Sequence, residues 1–134
     1  MNPKFWGPGA WMFLHSITMN YPKNPTDAEK EIYYNFFKNL EHVLPCEKCG
    51  YNYARHIQDY PIENVLHSRK LFVKWFIKIH NEVNKEIGNR EYTYDEVIED
   101  YKYKLNHLDS DPTLVYKVII VALVLFIIFT VCKK

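Results

Sequence analysis

This chain of 134 residues lacks long runs in which apolar and polar residues alternate, and so offers no convincing β-strand. No internal repeat is present. Neither sign of charge dominates: 17 Lys and Arg face 16 Asp and Glu, a net charge of +1. The basic surface that nucleic-acid binding usually needs is therefore missing, and no nucleic-acid partner is expected. Cysteine is sparse at three residues, which excludes a secreted-type disulfide framework. Residues 1–9 contain no hydrophobic run, so no signal peptide is expected there.

Aromatic residues are abundant, with 11 Tyr, 8 Phe and 3 Trp. They fit a well-filled helical core with Tyr at its rim, or a pocket for a flat ligand. Residues 1–9 read as a Pro- and Gly-punctuated loop feeding a helix from Ala10 to about Asn20, with Trp11, Leu14, His15 and Thr18 at helical spacing. Tyr21-Pro22-Lys23-Asn24-Pro25 ends it. Thr26-Asp27-Ala28-Glu29 has capping-box spacing and opens a second helix to about Val43. Its predicted buried stripe is Ile32, Phe36, Leu40 and Val43, widened by Phe37 and Leu44. Pro45 suits the first turn of a third helix carrying Cys46, Cys49, Tyr53 and His56, closed by Asp59-Tyr60-Pro61.

A fourth helix spans Ser68 to Ile87, with Leu71, Phe72, Trp75, Phe76, Ile79 and Val83 inward and Gly88 as its stop. A short fifth runs from Thr93 to about His107, aligning Val97, Tyr101 and Leu105. The fold class is thus all-α: a four-helix bundle with a short fifth helix over residues 1–108. A polar hinge follows at 109–113. Residues 118–131 are almost purely apolar and, with Leu114, Val115 and Tyr116 beyond an interrupting Lys117, reach the roughly 17–20 residues a bilayer needs, so a single-pass C-terminal transmembrane anchor over 114–132 is expected.

Pro45-Cys46-Glu47-Lys48-Cys49 carries the most chemistry. Cysteines three residues apart on a helix share a face and can close a reactive disulfide or hold a metal. Zinc needs four ligands, yet only one pair exists and His56, His67 and His80 are not spaced as a zinc-binding element. No metal site is expected. A thioredoxin-like site needs a βαβ context, whereas these flanks are helical. A redox pair remains. A helix N-terminus favours a thiolate, Lys48 adds positive charge and Glu47 opposes it. Passing thiol electrons to oxygen calls for a cofactor such as flavin. His80, Asn81 and Asn84 share one helix, and Trp11 and His15 pair on another. Together they offer the flat faces and polar edges that a flavin nucleotide requires.

In these motifs the chain resembles the Erv/ALR family of FAD-linked sulfhydryl oxidases. Trp11-Met12-Phe13-Leu14-His15 is similar to the family's W-x-x-L-H element, preceded by Trp6-Gly7-Pro8 as in many viral members. Leu44-Pro45-Cys46-Glu47-Lys48-Cys49 resembles its proximal redox motif. Trp75…His80-Asn81-Glu82-Val83-Asn84-Lys85-Glu86-Ile87-Gly88 resembles its H-N-x-V-N flavin helix. The resemblance covers roughly Trp6 to Tyr103.

It implies FAD held non-covalently between helices, with Gly7, Trp11, His15, His80, Asn81, Val83, Asn84, Lys85 and Tyr101 as cofactor-binding residues. It also implies that Cys49 lies against the flavin ring and Cys46 exchanges with incoming thiols. Electrons then pass to oxygen, giving hydrogen peroxide. The implied partners are a dithiol protein or a thioredoxin-like relay protein, and a second copy in a homodimer. The family's second, structural cysteine pair is missing: Ile77 and Tyr94 stand at about those places. Asn89 replaces the family Lys after Gly88, leaving Lys85 or Arg90 to face the pyrophosphate. Cys132 is single, so no shuttle disulfide is present. This reduced pattern resembles the minimal oxidases of large cytoplasmic DNA viruses, and implies host cytoplasmic or virion membranes as the location. Two other readings stay open on the residues alone: a tail-anchored helical adaptor, and a metal-binding membrane protein.

Overall fold

A computed structural model describes residues 1–108, 116–117, 119–124 and 129. The elements are α1 (Pro3–Met19), α2 (Asp27–Val43), α3 (Glu47–Asp59), a 3₁₀ turn (Ile62–Asn64), α4 (Arg69–Glu86) and α5 (Tyr94–Leu108). No strand occurs among the described residues. The chain divides into two compact units, Met1–Tyr94 and Asp95–Lys134. In the first, α1 packs on α4, α4 on α3 and α3 on α2.

The first helix begins seven residues earlier than the Pro and Gly pattern suggests. The Asn2 side chain accepts from Lys4 N at 2.9 Å, and Pro3 occupies the first helical position. Proline fits there because its missing N–H would be unbonded anyway. Pro8 is accommodated within the helix.

Helix α2 opens with the predicted capping box: Glu29 N donates to Thr26 Oγ1 at 3.2 Å and Thr26 N donates to Glu29 Oε2 at 2.7 Å. Its buried stripe differs from the expected one. Phe37 and Leu40 are buried and Tyr33 and Leu44 pack beside them, while Ile32 and Val43 are exposed. Two apolar rows run along α2, and spacing alone does not say which one meets the core.

Phe37 is the hub of the interior. Its ring lies edge-on to Phe72, Trp75 and Phe76 of α4 at 5.1–5.8 Å. Such edge-to-face pairs add about 0.5–1.5 kcal/mol each beyond simple burial. Tyr21 is fully buried, and its hydroxyl donates to Leu66 O at 2.6 Å. Trp75 donates its indole N–H to Tyr60 O at 2.7 Å, which satisfies the polar edge of a core residue.

Helix α4 agrees closely with the sequence reading. Ser68 caps it, and Gly88 at φ +73° takes the left-handed conformation that ends a helix without a Cβ clash. Leu71, expected inside, is exposed, and Val83 is half-buried. Among the described residues no helix is long and apolar enough to cross a membrane. The hinge over 109–113, Cys132 and most of the anchor predicted over 114–132 lie outside the described residues.

Candidate active site

Cys46 is the N-cap of α3, one position before the helix proper, so Pro45 lies outside the first turn rather than within it. Cys46 and Cys49 form a disulfide, with Cα atoms 5.1 Å apart. The Cys49 amide N lies 3.3 Å from Cys46 Sγ and donates to it. That amide and the helix dipole therefore favour negative charge on Cys46 sulfur once the disulfide opens. Both cysteines are partly exposed, so an incoming thiol can reach the pair. Gly50 follows directly. A Cβ there would collide with the Glu41 carbonyl oxygen, so glycine lets the start of α3 press against α2. The sequence reading missed Gly50; a glycine inside a helical stretch, next to a reactive pair, is the signal for it.

The second group of site residues comes from α1 and α4. Trp11 and His80 rings stack in parallel, with centroids 3.8 Å apart and planes at 7°. His15 Nε2 and His80 Nδ1 lie 3.0 Å apart and share a hydrogen bond. Phe76 meets the His15 ring edge-on at 4.8 Å. Burial pushes the His80 imidazole down to about 4, so it is neutral at physiological pH. Gly7 is buried on α1, with open space where a Cβ would stand.

The two asparagines of α4 differ. Both ends of the Asn81 amide are engaged by the main chain of Tyr92, donating to O at 2.8 Å and accepting from N at 3.0 Å. Asn84 is equally buried, but its Nδ2 has no partner. A buried orphan donor is costly unless a further group completes it. Lys85 is exposed and lies 3.2 Å from Glu82 and 3.3 Å from Glu91. The Arg90 guanidinium sits 4.0 Å from the Tyr92 ring centroid. Tyr101 belongs to the second unit, where Lys104 Nζ lies 5.4 Å from its ring centroid. Among the described residues no three His, Cys, Asp or Glu side chains gather as a metal site.

The α1–α4 group fits a flat, hydrogen-bonding cofactor on two counts: ring systems with imidazole edges, and the unsatisfied Asn84 amide. With the disulfide, these features define a class of helical-bundle redox protein. The chain belongs to the Erv1 / Alr family, whose pattern matches residues 8–102. It is 48% identical over 100 residues to the probable FAD-linked sulfhydryl oxidase R368 of Acanthamoeba polyphaga mimivirus, covering 74% of this chain and 70% of that one. It is 30% identical over 95 residues to the FAD-linked sulfhydryl oxidase ERV2 of Saccharomyces cerevisiae, covering 71% of this chain but only 47% of the yeast protein. Its fold matches the crystal structure of the FAD binding domain of Saccharomyces cerevisiae Erv1 with a TM-score of 0.65 and 28% identity, over 69% of this chain and 87% of that one.

Proposed function

We propose that this chain is an FAD-dependent sulfhydryl oxidase in which the Cys46–Cys49 disulfide takes electrons from protein dithiols. The observation that carries the reading is that disulfide, capping α3 with an amide donated to Cys46 sulfur. A partner thiolate attacks Cys46 Sγ, the Cys46–Cys49 bond breaks and Cys49 leaves as thiolate. The partner's second thiolate then attacks its own sulfur in the mixed disulfide, releasing Cys46. The partner has lost two electrons and gained a disulfide; the Cys46–Cys49 pair holds those electrons as a dithiol. FAD, when bound, supplies acceptance of that electron pair and its passage to oxygen, with hydrogen peroxide as product.

Trp11, His15, Gly7, His80, Val83 and Asn84 are the residues we assign to holding the cofactor. Asn84 would donate its free amide, and neutral His80 would present one nitrogen as donor or acceptor. Asn81 acts by fixing the loop at Tyr92, and Lys85 and Arg90 supply nearby positive charge. The physiological partner is a dithiol protein or a thioredoxin-like relay. A homodimer is supported by apolar side chains exposed on α1 (Phe5, Met12, Phe13) and α2 (Ile32, Phe36, Val43). The oxidase domain spans residues 1–108, and the apolar run over 114–132 anchors it to a host or virion membrane.

The test is oxygen uptake driven by a small dithiol. Cys46→Ala and Cys49→Ala should each abolish it while keeping the yellow flavin spectrum. Turnover retained in either variant would refute the assignment.

A further inference from the structure

We propose that Glu86, the last residue of α4, is a positioning residue that holds α3, and so the Cys46–Cys49 pair, in register with the helix carrying His80 and Asn84. The proposal rests on the oxidase reading above. Three α3 side chains converge on this one carboxylate. Asn52 Nδ2 donates to Oε2 at 2.6 Å, the Arg55 guanidinium donates to Oε1, and His56 Nε2 lies 3.3 Å from Oε1 without hydrogen-bond alignment. The His56 side chain is almost fully buried, which makes the cluster more than a surface ion pair.

The placement along the helices matters. Tyr60, just past the far end of α3, meets Glu82 and Trp75, whereas Asn52 meets Glu86. The two helices therefore run antiparallel, and among the polar α3–α4 contacts of the described residues the Glu86 cluster lies nearest the cysteines, one turn beyond Cys49. Met1 N donates to Pro45 O at 2.7 Å, next to Cys46, and two further restraints lead to α2. Gly50 packs on Glu41, and Tyr53 donates its hydroxyl to Phe37 O at 2.8 Å, both on α2. Helix α2 carries none of the assigned cofactor residues. Glu86 is thus a polar link from α4, beside the apolar packing of Tyr53 and Ile57, that helps fix the angle and depth of the redox helix.

Arg55 is half exposed, and exposed ion pairs add little to stability. The consequence of losing Glu86 therefore falls on geometry. When the dithiol re-forms its disulfide it loses two electrons and two protons to the flavin, a step sensitive to small misplacements of the reacting groups.

The experiment separates two rates in the FAD-loaded protein under anaerobic conditions. Rapid-quench thiol trapping follows the opening of the disulfide by dithiothreitol, and absorbance follows bleaching of the flavin. In Glu86→Ala the disulfide should open at the wild-type rate while bleaching slows about tenfold, so trapped dithiol accumulates ahead of reduced flavin. Hydrogen exchange at the α3 amides should rise. Glu86→Gln keeps the acceptor for Asn52 and should show the same split, smaller; it serves if Glu86→Ala does not fold. Reversing the pair, with Arg55→Glu and Glu86→Arg together, should recover part of the bleaching rate. Wild-type bleaching in Glu86→Ala, or equal slowing of both steps, overturns the proposal. A wild-type protein whose flavin never bleaches sinks the oxidase reading itself, and the proposal with it.

Discussion

Asn81 and Asn84 sit three residues apart on α4, are similarly buried, and have opposite hydrogen-bond states. The family resemblance implies a cofactor role for both, but the letters alone do not reveal that one clamps a loop and the other holds a free donor. Asn81→Ala should loosen the 88–93 segment and cost about 1–3 kcal/mol, because Tyr92 loses both partners; thermal denaturation measures this. Asn84→Ala should instead weaken flavin retention with little change in the stability of the flavin-free protein. His80 gives a pH signature. Its folded value of about 4 lies below the ordinary 6.5, so the unfolded chain binds a proton between these values and the fold does not. The stability associated with neutral His80 is fully present above pH 6.5 and is lost as pH falls toward 4, by about 3 kcal/mol in all. Denaturant unfolding across this window should show the loss, and His80→Gln should flatten it; equal slopes would contradict buried, neutral His80.

At the scale of the helix, Cys46 is both half of a disulfide and a cap. Cys46→Ser and Cys46→Ala each remove the disulfide, but serine can still accept the Cys49 amide. The serine variant should be more stable by about 0.5–2 kcal/mol, the usual worth of an N-cap, and equal melting temperatures would argue against the cap. Gly50→Ala should move α3 away from Glu41 and destabilise the fold by about 1–3 kcal/mol. Helix existence was legible from the sequence because capping signals are local: Thr26 with Glu29, Ser68 and Gly88 fall where the chain predicts them. The α1 start was not legible, since Pro3 and Pro8 read as breakers until Asn2 is seen to cap. Nor was the α2 face: both of its rows are apolar, and the choice between them is made by Phe72, Trp75 and Phe76, some 35 to 40 residues away. Glu86 was invisible for the same reason, as its partners lie 30 to 34 residues earlier.

For the whole molecule, the exposed α1 and α2 side chains predict self-association. Ile32→Lys with Phe36→Asp should shift a dimer toward monomer in light scattering while leaving helicity intact; an unchanged mass would show that this face does not join two copies. An electron path from the Cys46–Cys49 pair to a bound flavin underlies the proposed oxidase. Dithiothreitol is added anaerobically to flavin-loaded wild type and Cys49→Ala, and oxygen is then admitted. The wild-type flavin should bleach and recover with formation of hydrogen peroxide, while the Cys49→Ala flavin should stay yellow. Bleaching of Cys49→Ala at the wild-type rate would rule out this electron path.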